Sequence, residues 1–174
     1  MNIAKPLVLL FALTSASLLQ GNPPKAANVA AFEQLKSLAG DWEATSPTGI
    51  QKAHFELIAD NSVLASRLSG GMPHDMHTML HMDGEHLMLT HYCAMHNQPR
   101  MVLASGDDPK KLVFKFKDGT NIAPGDGHMN QVIFIIDGPN HHVEEWTYLA
   151  KGKETTSRCE FRRKSSPCFP ATSI

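Results

Sequence analysis

The sequence predicts an all-β fold, an up-and-down antiparallel β-barrel of about ten strands preceded by a short helix. Short segments of alternating apolar and polar residues follow one another from Trp42 to Arg163. Turn signals such as Asp60-Asn61 and Asp83-Gly84 separate these segments, and one helical pattern precedes them. Such a barrel leaves no sheet edge unpaired and often holds one small ligand. A β-sandwich is the competing architecture.

The first 21 residues have the composition of a secretory signal peptide. Lys5 precedes a mostly apolar run from Pro6 to Leu19, which is too short and too polar for a membrane-spanning helix. Small residues at positions 14–17 and 26–31 offer cleavage points, and a buried N-terminal helix is the alternative interpretation. We therefore expect an exported protein, periplasmic or secreted, whose mature chain carries no membrane span.

The rest of the chain is predicted to form a Pro-containing linker, a barrel domain and a flexible tail, at residues 22–30, 31–164 and 165–174. A short helix over Ala31–Ala39 opens the domain, because Leu35 and Leu38 share a face and Gly40 suits the helix end. The predicted strands cover residues 42–45, 50–59, 62–69, 76–82, 86–93, 100–105, 111–117, 129–136, 142–150 and 155–163.

The composition restricts the partners and the redox chemistry. A net charge of −1 gives no sign of the basic face that nucleic acid requires. The chain has ten histidines, which titrate near pH 6.5 when unperturbed. Export would place the cysteines in an oxidising compartment, where Cys159 and Cys168 could close a small loop. Cys93 would then be a free thiol, a ligand or a small buried apolar residue.

The segment "LAGDW", Leu38 to Trp42, resembles the Gly-x-Trp motif of lipocalins, with Gly40 and Trp42 in the matching places. In that family the tryptophan packs at the closed end of the barrel against an arginine of the last strand, here Arg162 or Arg163. Together with "DGEHLMLTHYCAMHNQPRM" and "GHM", the segment "FEQLKSLAGDWEA" resembles a family of exported bacterial lipocalin-like proteins. The resemblance, from about residue 32 to residue 163, implies a calycin-type barrel and no particular activity.

Asp83-Gly84 is a strong signal for a two-residue hairpin turn between two alternating segments. It predicts cross-strand pairs, namely Met82 with Glu85, Leu80 with Leu87, Thr78 with Leu89, Met76 with His91 and His74 with Cys93. The more apolar face should point inward, and it contains Met82, Leu80, Thr78, Met76, His74, Leu87, Leu89, His91 and Cys93. A three-residue turn or a bulge would instead turn the other face inward, with His77, His81, His86 and Tyr92.

Four possible metal ligands would meet at the end of this face that is far from the turn: His74, Met76, His91 and Cys93. Imidazole, thioether and thiol groups suit copper or zinc. No standard ligand spacing accompanies them, so the alternative is that His91 and Cys93 line a cavity and hydrogen-bond to each other or to neighbouring amides.

The polar end of a ligand cavity is predicted at His91, Cys93, Asn97, Gln98, Arg100 and His128. Arg100 either binds a carboxylate or phosphate at the mouth of the cavity or pairs on the surface with Glu85 or Asp83. His141 and His142 follow a Gly-Pro-Asn turn and are expected to be solvated, and His54 is expected on an outer face.

Three functions remain open at this level. The first is binding of a small apolar or amphipathic molecule. The second is binding of copper, zinc or haem, because nitrobindin-like barrels, which this fold resembles, hold haem through a histidine. The third is His-assisted acid–base chemistry, with His74 as the best base for a Cys93 thiolate. The sequence has no Gly-x-Ser-x-Gly elbow, P-loop or paired carboxylates of the glycosidase type, so it indicates no particular enzyme class.

Overall fold

A computed structural model describes residues 24–71, 73–104 and 108–165. They form one helix, α1 (Lys25–Lys36), and ten strands, β1 (Gly40–Ser46), β2 (Gly49–Ile58), β3 (Val63–Ser69), β4 (Met76–Asp83), β5 (His86–Tyr92), β6 (Gln98–Leu103), β7 (Lys111–Thr120), β8 (His128–Gly138), β9 (His141–Ala150) and β10 (Lys153–Arg163). Each strand pairs antiparallel with its neighbours in sequence, and β1 pairs with β10 to close the barrel. The predicted up-and-down barrel is therefore confirmed. The predicted signal peptide lies outside the described residues.

The helix differs from the sequence prediction at both ends. It begins at Lys25 within the predicted linker and ends at Lys36, where Ser37 caps it, although helix was predicted over Ala31–Ala39. The Ala-rich start carries no long apolar face, so the apolar period alone could not reveal it, yet alanine is the best helix former. Pro24, which cannot continue a helix toward the N-terminus, sets the start. Among the described residues, no helix is long and apolar enough to cross a membrane.

One end of the barrel, called the helix end, is covered by α1. Leu35 and Leu38 are fully buried there, and Trp42 donates its indole N–H to the Leu38 carbonyl at 2.7 Å. The guanidinium of Arg163 lies 4.1 Å from the centre of the Trp42 ring. The contact between Trp42 and a C-terminal arginine is thus present, and the arginine is Arg163; Arg162 is exposed. The opposite end, called the loop end, is formed by the β1–β2, β3–β4, β5–β6, β7–β8 and β9–β10 connections.

The β4–β5 hairpin keeps the predicted faces but not the predicted pairs. Asp83 pairs with His86, so Gly84 and Glu85 form the turn and Thr78, rather than Met76, lies opposite His91. Gly84 has a φ of 60°, and glycine at the first turn position is typical of a type II′ turn. The shift of two residues leaves side-chain alternation unchanged. The predicted pairs Met76–His91 and His74–Cys93 are therefore wrong.

The barrel interior is closely filled by apolar side chains over much of its length. Fully buried residues from seven strands, β2 to β8, meet there, including Phe55, Leu64, Leu80, Leu89, Met101, Phe114 and Phe134. Burial of a large apolar side chain contributes about 1.5–3 kcal/mol, so this cluster is a main source of stability. A smaller group of buried polar side chains interrupts this apolar cluster, and these polar side chains form the candidate site.

Candidate ligand-binding site

Strand β9 directs His142, Glu144 and Trp146 into the barrel. Side chains two residues apart lie on the same face of a strand, so the three form a row along the interior. Trp146 contacts His91 of β5, and His142 contacts Trp42 of β1, although neither β5 nor β1 pairs with β9. Contacts between strands that are not neighbours must cross the interior, so this row faces inward.

Glu144 lies at the centre of the row and is only 5 % exposed. One carboxylate oxygen lies 3.2 Å from His142 Nε2, and the other accepts the Trp146 indole N–H at 2.8 Å. Burying a carboxylate is costly unless hydrogen bonds or an opposite charge offset the lost hydration. Glu144 is the only buried Asp, Glu, Lys or Arg in the part of the chain that the structure describes. Sequence reasoning missed this residue, because "VEEW" contains two glutamates and only the register tells which one points inward.

His91 is 2 % exposed and faces the interior, as predicted. Its Nδ1 hydrogen-bonds to the Thr78 hydroxyl at 2.9 Å, and its ring lies against Trp146 with 4.6 Å between ring centroids. Burial lowers the pKa of His91 to about 4, although the nearby Glu144 carboxylate acts to raise it. The imidazole is therefore neutral near pH 7. Its Nε2 is buried and has no hydrogen-bond partner among the described residues.

His142 is fully buried, so the expectation that it is solvated is wrong. Its ring stacks on that of Phe161, with 5.0 Å between ring centroids. It forms T-shaped contacts with the rings of Trp42 and Phe55, at centroid distances of 4.4 and 5.7 Å. Its Nδ1 has no partner within the described part of the chain. His141 points outward and bonds to Asp137, so alternation separates the two adjacent histidines.

A second polar contact crosses the barrel between β10 and β2. The Cys159 thiol lies 2.8 Å from the side-chain oxygen of Gln51, to which it donates. Burial, and secondarily the Glu144 carboxylate, raise the pKa of this thiol, so it is a poor nucleophile. The predicted partner for a disulfide, Cys168, lies outside the described residues.

The other predicted ligand-binding residues lie at the loop end. Cys93 begins the β5–β6 loop and is half-buried, and its backbone N–H bonds to the Asn97 carbonyl. Gln98 accepts hydrogen bonds from Thr120 and Asn121. Most of these residues therefore belong to loop contacts and lie apart from the row on β9.

Arg100 and His128 also lie outside that row. Arg100 is exposed and donates to Asp118 at 2.5 Å, so it forms a surface ion pair with a partner that was not foreseen. His128 is half-buried, with its ring 4.3 Å from that of Phe116. His54 is exposed beside Asp41, which confirms its predicted outer position.

The predicted metal ligands do not come together. His74 is exposed and precedes β4, and Met76 pairs with Leu68 of β3. In the described ranges, no group of three or more His, Cys, Asp or Glu side chains is placed to hold a metal ion. The register of the hairpin explains this, since it separates Met76 from His91.

The loop end is held together by a contact between two loops. Asn97 is 3 % exposed and donates its side-chain N–H to the Gly127 carbonyl at 2.9 Å. Gly127 also lies against Tyr148, because a Cβ at this position would come within 1.8 Å of the Tyr148 hydroxyl oxygen. The glycine therefore lets the β7–β8 loop lie close to Tyr148 of β9.

Replacing Gly127 by alanine should lower the free energy of unfolding by about 1–3 kcal/mol, because the new methyl group forces Tyr148 or the loop to move. The matched control is Gly138→Ala, since a Cβ at Gly138 meets nothing within 4 Å. Urea unfolding of both variants measures the difference. Equal midpoints for the two variants would contradict the close approach of Gly127 and Tyr148.

An external cleft of about 410 Å³ lies over β1, β2 and β3. Two of its basic side chains are paired, Arg67 with Asp75 and Lys164 with Glu43, and Lys52 is exposed. Exposed pairs of this kind contribute little energy, and they leave no clustered positive charge for an anion.

Comparison of the chain with protein-family models and with curated proteins gave no match.

Proposed function

We propose that this protein binds a small, mostly apolar molecule inside its barrel, with His91 as the polar anchor. The observation that carries the proposal is the unpartnered Nε2 of His91, 2 % exposed and facing the interior. A buried polar atom without a partner costs about 1–3 kcal/mol, and a ligand hydroxyl or carbonyl group would offset that cost. Apolar walls with a few placed polar groups are the usual composition of small-molecule sites.

The geometry around His91 supports a role in recognition. Thr78 holds Nδ1 and Trp146 lies against the ring, so the orientation of the imidazole is set before a ligand arrives. A site whose groups are already oriented loses less entropy on binding. The neutral state of His91 lets Nε2 serve as donor or acceptor, depending on the tautomer.

Two matched variants test the anchor. His91→Asn retains a nitrogen near the Nδ1 position and can keep the bond to Thr78, whereas His91→Gln retains a nitrogen near Nε2. We expect His91→Asn to weaken binding of N-phenyl-1-naphthylamine, a neutral fluorescent probe, by about tenfold. His91→Gln should keep more of the affinity. Fluorescence titration of the purified protein measures both.

The control for these variants is His54→Gln on the outer face, which should bind like the wild type. Native mass spectrometry of the purified protein should also reveal a bound small molecule. The proposal fails if the probe does not bind saturably, or if His91→Asn binds it as tightly as the wild type does.

Haem is a second candidate because an imidazole whose Nδ1 is held by a partner and whose Nε2 is free is a suitable axial ligand. His91 would hold the iron, and the iron would supply binding of a gaseous or redox partner. Addition of haemin should then give a sharp Soret band in the wild type and not in His91→Asn. An unchanged haemin spectrum would exclude this candidate.

We further propose that the chain is an exported, lipocalin-like protein. The composition of residues 1–21 and the Gly-x-Trp motif support this proposal. Expression of the full chain with fractionation of the cells, followed by N-terminal sequencing of the mature protein, would test it.

A further inference from the structure

We propose that the preferred ligand is a hydrophobic amine, whose ammonium group pairs with the Glu144 carboxylate beside the Trp146 ring. This inference rests on the proposed binding function and adds the chemical class of the ligand.

The interior contains a carboxylate and no lysine or arginine side chain among the described residues. Every lysine and arginine of the described residues is exposed except Lys36 and Arg163, which are half-buried outside the barrel. Lys36 pairs with Glu33 on α1, and Arg163 bonds to carbonyl groups at the helix end. Glu144 therefore has no lysine or arginine counter-ion in the described interior.

The partners of Glu144 are neutral donors. The Nδ1 of His142 has no acceptor within the described residues, because rings of Trp42, Phe55 and Phe161 surround it. A proton there would be buried without a partner, so we assign His142 the neutral tautomer that donates Nε2–H to Glu144. The Trp146 indole is the second donor. These two donors leave about two of the four acceptor positions of the carboxylate free.

A ligand ammonium group would supply the missing positive charge. A buried anion with hydrogen bonds alone keeps part of its desolvation cost, and a buried counter-ion offsets that cost. A ligand carboxylate would place a second negative charge near Glu144 and would be disfavoured, since like charges repel strongly in a low dielectric.

Three ligands that differ only in the head group test this inference: n-octylamine, 1-octanol and octanoate. Each displaces N-phenyl-1-naphthylamine from the wild-type protein near pH 7, where the amine is protonated and the acid ionised. We expect octylamine to bind about tenfold or more tightly than octanol, and octanoate to bind most weakly.

Glu144→Gln should remove the advantage of octylamine over octanol. The matched control is Glu145→Gln, the adjacent residue on β9, which points outward and pairs with Arg158. That variant should retain the wild-type order of affinities. If Glu144→Gln does not fold, the order of the three affinities in the wild-type protein still shows whether the site prefers the amine.

The inference is overturned if octanoate or octanol binds as tightly as octylamine, or if Glu144→Gln keeps the preference for the amine. Octanol binding that depends on His91, without a preference for octylamine, would remove this inference and leave the proposed function standing. Failure of all three ligands and of the probe to bind would remove both.

Discussion

Replacing Arg163 by alanine is expected to lower the free energy of unfolding by about 2–4 kcal/mol, measured by urea denaturation. Its guanidinium lies over the Trp42 ring and donates three hydrogen bonds of 2.7 Å to the carbonyls of Ser37, Ala39 and Pro139. These bonds join the end of α1, the β8–β9 turn and the last strand. The alanine variant loses all of them and leaves carbonyl groups at the helix end without their partner.

Arg162→Ala is the matched control, since this adjacent arginine is exposed and points away from Trp42. It should change stability by no more than about 0.5 kcal/mol. Arg163→Lys should recover less than half of the loss, because an ammonium cannot reproduce the planar fork that reaches three carbonyls. Equal unfolding midpoints for Arg163→Ala and Arg162→Ala would show that this contact does not hold the helix end.

Mild acid is expected to destabilise the protein through His91. The pKa of His91 is lowered to about 4 in the folded state by burial, whereas it is 6.5 when exposed. The unfolded chain therefore binds the proton more readily, and stability falls as the pH drops below about 6.5. The loss reaches about 2 kcal/mol at pH 5 and levels off at about 3 kcal/mol below pH 4, from this residue alone.

Urea unfolding between about pH 7.5 and pH 4.5 measures this effect, with His91→Asn as the comparison. The asparagine does not titrate and can keep the bond to Thr78, so its stability should fall less steeply with acidification than that of the wild type. His54→Gln is the control, because His54 is exposed on the outer face beside Asp41. If the slopes of His91→Asn and the wild type coincide, His91 is not the acid-sensitive group.

Local patterns were sufficient for the strands. Alternation and turn residues predicted all ten, with most ends within a few residues of those observed, because inward and outward positions differ in polarity along each strand. The same alternation placed His91 inside, since the segments on either side of Asp83-Gly84 each have a distinctly apolar face. The start of α1 was missed because an alanine-rich turn has no apolar period to detect.

The candidate site was predicted only in part. His91 was expected in the cavity, but its neighbours were not, since they come from strands far apart in the chain. Trp146 contacts His91, and Glu144 lies near enough to act on it electrostatically, only because the closed barrel brings β9 opposite β5. No local pattern carries that information, because contacts across a barrel depend on how many strands close it and with what stagger.

The sequence by itself determined the all-β class, the order of the strands, the inward face of the β4–β5 hairpin and the Gly-x-Trp segment at the helix end. Only the tertiary structure decided that Thr78 lies opposite His91, that Glu144 rather than Glu145 is buried, and that His142 is enclosed by aromatic rings. The physical reason is that alternation fixes a side chain to one of two faces, whereas register and barrel closure decide which residues of different strands meet.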